Sequence, residues 1–419
     1  MADLIRCSVA VAMTDLTDLQ GLTGPAQRGG FVLLITLASA LAAGCSSGSD
    51  MTGAGGQSGG GGLGGTDAAR GIDAGPRVPP AGVVAAGVRW FGRVDTTTPT
   101  APRFSWSGTG FVAQISGTGL SVNLTMTTSS EAYYFKPVVD GVPQAAFNVP
   151  SGAGTYPVAS GLTAGTHTIE LYRQTEGPEG DATLTGITVA DGTLMDPPAG
   201  PARLLEVIGD SITCGYGDLG SLSDSDCYPT ESHWDSYASV AARALGAEVS
   251  TICASGRGVI RNYGGDTAGT LPMIYPQILA NSASPAWDFH IEPDAVVINL
   301  GTNDISNNKG DPGATFEQTY LTLLQTVRSK YPHAYIMGII GPLLSGSDLG
   351  TIQNYIQMAV QAMNAAGDSQ VEYFDQIQPQ PTSAAACQYH PDVTEQTLMG
   401  NQVATELGAK LGWTVNAGG

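Results

Sequence analysis

Positive charge is scarce in this 419-residue chain. Lys and Arg number 17 against 37 Asp and Glu, giving a formal net charge of −20 and a sequence pI near 4.4. A surface of that sign is repelled by phosphate backbones, which excludes nucleic acid as a partner. Charged residues of either sign make up only 13%. The apolar run from Phe31 to Ala43 is too short to span a bilayer. The six cysteines fit no zinc-ligand spacing. Helical periodicity is nearly absent between about 82 and 196, so that part is not a bundle of helices.

What is present is apolar and rich in turns. Hydrophobic residues make up 42%, ample for buried cores, and the 57 Gly and 25 Pro imply turn-rich β structure with at least one flexible segment. The length suits two folded units plus extensions.

The N-terminus reads as an address. Arg28 precedes the apolar run, and small residues follow it, the pattern of a secretory signal. Leu41-Ala42-Ala43-Gly44-Cys45 resembles a bacterial lipobox, with its leucine one position further upstream than usual. The resemblance implies a lipoprotein signal peptide over 1–44 and lipidation of Cys45. Residues 45–81, dominated by Gly, Ser, Ala and Asp, lack the apolar side chains needed to offset chain entropy and are expected to form a flexible tether. The expected location is therefore outside the cytoplasm, on a membrane or cell surface, with the lipid as the sole membrane contact. Four cysteines remain beyond this region: Cys214, Cys227, Cys253 and Cys387. In an oxidising compartment Cys214 and Cys227 can bridge, although spacing leaves the pairing open.

Two periods follow. From 82 to 196, short alternating runs such as Gly110 to Ile115, Leu120 to Leu124 and His167 to Tyr172 are broken by Gly and Pro, the pattern of an all-β sandwich. Asp140-Gly141 marks a hairpin turn. The joint Pro197-Pro198-Ala199-Gly200-Pro201 ends this unit. From 202 to 419, strand-like runs at 204–208, 249–253, 295–300, 334–340 and 371–374 alternate with helix-like runs at 232–245, 313–330, 351–366 and 393–411. That alternation predicts a parallel sheet covered on both faces, with its chemistry beyond the strand C-termini.

Reactive residues stand there. The first strand runs into Gly209-Asp210-Ser211, the second into Ser255-Gly256, the third into Gly301-Thr302-Asn303-Asp304, and His390-Pro391 follows the last. A serine at a strand end can present its hydroxyl to a histidine base. Backbone N–H groups of Ser211 and Gly256 and the Asn303 amide are suitable donors to an oxyanion. Each block alone is also an ordinary strand-to-loop turn. His167, His233, His290 and His333 are expected to be structural or exposed.

Taken together, these blocks resemble the SGNH (GDSL-type) hydrolases: Gly209-Asp210-Ser211 matches the first block, Gly256 the second, Gly301 to Asp304 the third and His390 the fifth. More narrowly the chain is similar to carbohydrate esterase family 2, through Arg89-Trp90-Phe91-Gly92-Arg93, Phe104-Ser105-Trp106-Ser107-Gly108, Val207 to Gly217 and Asn262 to Asp266. The resemblance implies an α/β fold, a three-layer SGNH-type parallel sheet preceded by an all-β jelly-roll sandwich. It further implies a serine esterase acting on acetylated polysaccharide or oligosaccharide such as xylan or glucomannan, with Ser211 as nucleophile and His390 as base. Ser211, Gly256 and Asn303 would hold the oxyanion. No metal or cofactor is implied, and a monomer is expected.

The match departs at one place. The family's aspartate, two or three residues before the histidine, is replaced here by Gln388 and Cys387. A Ser–His dyad oriented by a backbone carbonyl is the preferred expectation, with Asp392 as a possible surrogate acid. Two other readings compete. One is a general short-chain esterase, which no apolar lid segment supports. The other is a carbohydrate-binding surface lipoprotein with impaired catalysis, stacking sugars on aromatics such as Trp90, Trp106, Tyr133, Tyr134 or Trp234.

Overall fold

The computed structural model describes residues 87–128 and 133–416. The expected signal peptide, Cys45 and the tether lie outside the described residues.

Short alternating runs become strands. In chain order these are β1 (Arg89–Phe91), β2 (Arg103–Phe104), β3 (Gly110–Gly117), β4 (Gly119–Thr128), β5 (Tyr134–Val139), β6 (Val142–Pro143), β7 (Phe147–Asn148), β8 (Gly152–Ala159), β9 (Gly165–Arg173), β10 (Gly180–Ala190) and β11 (Thr193–Met195). One antiparallel sheet runs β1-β3-β9-β5-β6, with β11 on β3 and β7 on β5; the other runs β2-β10-β4-β8. Alternation selects the side chains that fill the space between them. Phe111, Ala113 and Ile115 of β3 meet Leu120, Val122, Leu124 and Met126 of β4 in one buried core. The Asp140-Gly141 turn joins β5 to β6, with Val139 opposite Val142 and φ of 50° and 78° at the two turn residues. Two such angles in a two-residue loop match the twist of a hairpin.

The second unit holds β12 (Arg203–Gly209), α1 (Ser211–Cys214), α2 (Tyr237–Leu245), β13 (Ala247–Cys253), α3 (Leu271–Ile274), β14 (Gln277–Leu279), β15 (Ser282–Ala286), β16 (Ala295–Asn299), α4 (Thr302–Ile305), α5 (Ala314–Lys330), β17 (Tyr335–Ile339), α6 (Gly346–Ala365), β18 (Val371–Tyr373) and α7 (Val393–Leu411). Its sheet is parallel, in the order β13-β12-β16-β17-β18. Leu205, Val207, Val297 and Met337 face α2 and α7. Ile208, Val296, Ile298 and Ile336 face α5 and α6. Both faces are buried, which is why these strands read as continuous apolar runs. The helix expected from 232 begins only at Tyr237, because Ser236 is extended and ends the short turn His233–Asp235. The antiparallel pair β14–β15 was not legible as strands.

The two units interlock. Trp106 belongs by sequence to the sandwich, yet it is fully buried within the α5/α6 side of the parallel-sheet core. Arg93, also from the sandwich, is 1% exposed. It donates to the carbonyls of Tyr275 and Gln277, pairs with Glu206 of β12 at 3.4 Å, and lies against the rings of Tyr275, Trp287 and Phe289. A buried guanidinium is tolerated only where acceptors and rings replace its water.

Candidate active site

β12 ends at Gly209, and Asp210 turns the chain into α1. The Asp210 carboxylate accepts the Ile212 N–H at 3.1 Å, a helix N-cap. Ser211 thereby becomes the first helical residue, whose N–H has no intrahelical acceptor. Burial pushes the Asp210 carboxyl up to about 7, with nearby Asp304 adding to it against the Ile212 hydrogen bond.

His390 comes from the far end of the sheet, after a turn at 387–389 and just before α7. Its Nε2 lies 2.8 Å from Ser211 Oγ. Burial pushes the ring down to about 4, although the backbone carbonyls of Cys387 and Gln388 favour its protonated form. The ring is therefore neutral near pH 7, the state in which Nε2 can take the serine proton. Tyr216 packs edge-on against the imidazole, with centroids 5.0 Å apart, and Tyr228 packs edge-on against Tyr216. Asp392 is occupied elsewhere, because its carboxylate caps α7 by accepting the Glu395 N–H at 2.9 Å. Nδ1 of His390 is buried without a hydrogen-bond partner among the described residues.

The strands flanking β12 supply the remaining groups. β13 pairs with β12 up to Cys253 opposite Gly209, so Gly256 follows at the same sheet edge. Gly256 has φ of +73°, a conformation L-residues rarely adopt. Its N–H donates to no group among the described residues, while its carbonyl accepts the Tyr263 N–H at 2.8 Å. The preceding residue is held from the sandwich side, since Ser255 N–H donates to Glu176 Oε2 at 2.6 Å. After β16, Asn303 Nδ2 donates to Asp210 Oδ2 at 3.2 Å and to the Arg257 carbonyl at 2.9 Å. Both amide hydrogens thus have acceptors, and serving an oxyanion requires Asn303 to exchange one of them. Asp304 accepts the N–H groups of Val259, Ile260 and Arg261 at 2.8–3.2 Å, tying the loop after Gly256 to β16.

The Cys214–Cys227 bridge that the sequence left possible is not formed. Cys214 pairs with Cys253, and Cys227 pairs with Cys387. The β12–β13 register places the end of β13 beside α1, so Cys214 and Cys253 have Cα atoms 5.6 Å apart. The loop carrying Cys227 instead reaches the turn before His390.

The other histidines lie apart from this edge. His233 is buried, with Nε2 2.8 Å from Thr251 Oγ1 and Nδ1 3.0 Å from Ser239 Oγ, and burial pushes it down to about 3, with Arg243 contributing. His167, His290 and His333 pair with Asp140, Asp288 and Glu292. Trp90, Trp106 and Tyr133 are core residues, and Trp234 packs beneath Arg243 and against Tyr172. Tyr134 is half-buried in β5. The exposed rings beside the site are Tyr263 and Tyr389, 52% and 66% accessible, which composition could not separate from core aromatics. Among the described residues, no group of three or more His, Cys, Asp or Glu is placed to hold a metal ion.

Comparisons agree with this architecture. The family described as Carbohydrate esterase 2 N-terminal matches residues 90–198, and the GDSL-like Lipase/Acylhydrolase family matches 207–398. The chain is 34% identical over 329 residues to Cellulase/esterase CelE of Acetivibrio thermocellus; the match covers 78% of this chain but only 40% of that longer protein. It is 25% identical to an acetylxylan esterase / glucomannan deacetylase of Cellvibrio japonicus, over 78% of this chain and 89% of the relative. A solved family two carbohydrate esterase from Clostridium thermocellum, in complex with cellohexaose, superposes with a TM-score of 0.74 at 35% identity, covering 78% of this chain and all of that one. With its jelly-roll sandwich, its SGNH-type parallel sheet and these relatives, the chain belongs to carbohydrate esterase family 2.

Proposed function

We propose that this protein is a serine esterase that removes acetyl groups from O-acetylated polysaccharide, acting through Ser211 and His390. The observation that carries the reading is the 2.8 Å contact between His390 Nε2 and Ser211 Oγ, made by an imidazole held neutral. Ser211 Oγ attacks the acetyl carbonyl carbon while its proton passes to Nε2. The carbonyl oxygen becomes an oxyanion facing the N–H groups of Ser211 and Gly256 and the Asn303 amide. Collapse expels the sugar oxygen, which takes the proton back from His390 and leaves an acetyl-serine. Water, deprotonated by the same nitrogen, then releases acetate. With Asp392 committed to a cap and Cys387 in a disulfide, the pair acts as a dyad.

Two features favour sugar over a lipid-like ester. Tyr389 adjoins His390 and Tyr263 adjoins Gly256 through its backbone, and both rings are exposed to stack on sugar faces. The relatives named above include an acetylxylan esterase / glucomannan deacetylase and an esterase crystallised with cellohexaose. Tyr389→Ala is expected to raise KM for acetylated polysaccharide and leave KM for a small acetyl ester within about twofold; equal effects on both would oppose a stacking role. Turnover of longer acyl esters at or above the acetyl rate would favour a general short-chain esterase. Export and lipidation at Cys45 belong to the same proposal, and mass spectrometry of the mature N-terminus tests them.

A further inference from the structure

An imidazole that accepts the serine proton becomes a cation, and its ring must be held in line while it carries that charge. Three residues before His390, where a carboxylate is expected, the chain has Cys387 bonded to Cys227. The intervening turn is left-handed at two consecutive non-glycine residues, with φ of 49° at Gln388 and 66° at Tyr389. Such residues persist only where their surroundings over-determine them. Those surroundings are visible. Cys387 N–H donates to the Gly217 carbonyl at 3.3 Å, and Ala386 N–H donates to the His390 carbonyl at 2.7 Å. Gly217, with φ of +68°, leaves the space the bridge fills: a Cβ there would lie 2.8 Å from Cys387 Cβ and 2.9 Å from Cys227 Cβ. The bridge therefore seats the histidine turn directly on the loop that follows the nucleophile.

We infer that the Cys227–Cys387 disulfide is the positioning element for His390, locking the left-handed turn that presents the ring to Ser211. Backbone rigidity then supplies the orientation that a carboxylate supplies in a triad. The inference rests on Ser211 and His390 being the reacting pair.

The test compares the parent with the C227S/C387S variant on p-nitrophenyl acetate, with near-UV circular dichroism to verify native packing. The expected result is a kcat lower by at least about 10²-fold, the scale of a positioned base, with KM within about threefold. The acid limb of kcat should also move up toward the free-imidazole value near 6.5 as the ring gains water. A natively packed double variant with the parent's kcat and pH profile would overturn the inference. Should that variant not fold, the parent is treated with graded thiol reductant and its disulfides are mapped. Activity must then fall in step with loss of the Cys227–Cys387 bond and return on reoxidation, and full activity without that bond would equally overturn it. If Ser211→Ala and His390→Ala abolish activity while the bond proves dispensable, only the positioning role fails. If those two variants stay active, the underlying reading fails with it.

Discussion

His390 Nε2 and Ser211 Oγ, 179 residues apart in the chain, lie 2.8 Å from each other at one edge of the parallel sheet. Because burial holds the ring near 4, the neutral base persists well below the usual histidine range. We expect kcat/KM for a soluble acetyl ester to rise along an acid limb centred near pH 4 and to stay level from about pH 6 to 8. A pH–rate profile measures this directly, and a limb near 6.5 would mean that the ring is solvated.

The proposed oxyanion donors make a second prediction. Asn303→Ala should lower kcat by about 10²–10³ with little change in KM. Gly256→Ala meets open space, its nearest neighbour being Tyr263 Cβ at 3.7 Å, so its cost comes from φ of +73°. About 1–2 kcal/mol of strain in that loop should appear as a lower kcat rather than as unfolding. Steady-state kinetics together with a melting curve separate the two effects.

Trp106 carries the seam between the units. Trp106→Ala empties a fully buried site in the parallel-sheet core and should cost about 3–5 kcal/mol. Denaturant unfolding of the parent is expected to be a single transition; a variant that melts in two steps would show that this side chain couples sandwich to sheet.

Glu231 is fully buried, and burial raises its carboxyl well above the ordinary range, with Glu176 and Asp218 adding to it against the Arg173 charge and the Glu176 N–H. A raised folded-state value means that the native protein keeps a proton the unfolded chain releases above about 4.5. Stability therefore falls as pH rises from there toward the folded-state value, by about 1.4 kcal/mol per unit. Glu231→Gln should be more stable than the parent at pH 8, with the gain shrinking toward pH 4.5. Chemical denaturation at a series of pH values reads it, and a gain independent of pH would contradict the assignment.

Much of this was legible in the sequence because it is written in local patterns. The apolar runs of β12 and β16 and the residues after them identify a parallel sheet and the edge that holds the candidate site, since chain direction alone puts Ser211, Gly256 and Asn303 at strand C-termini. What escaped depends on contacts across the chain. The cysteine pairing follows from the β12–β13 register and from where the loop carrying Cys227 ends. Trp106 lies in a strand-and-turn sequence, but it is buried in one core cluster with Ile252 and Leu271 of the other unit. Glu176 reads as a turn residue of the sandwich, and only the fold brings its carboxylate to Ser255. The left-handed turn at Gln388 and Tyr389 contradicts local preference, and such contradictions are expected at functional sites.

The most direct test of the central claim is acetate release from acetylated xylan and acetylated glucomannan by the parent, Ser211→Ala and His390→Ala proteins, each shown to be folded. The account predicts release by the parent and a loss of at least about 10⁴-fold in both variants. Undiminished release by either folded variant would contradict it, and a folded parent that binds these polysaccharides without releasing acetate would make the protein a binder rather than an esterase.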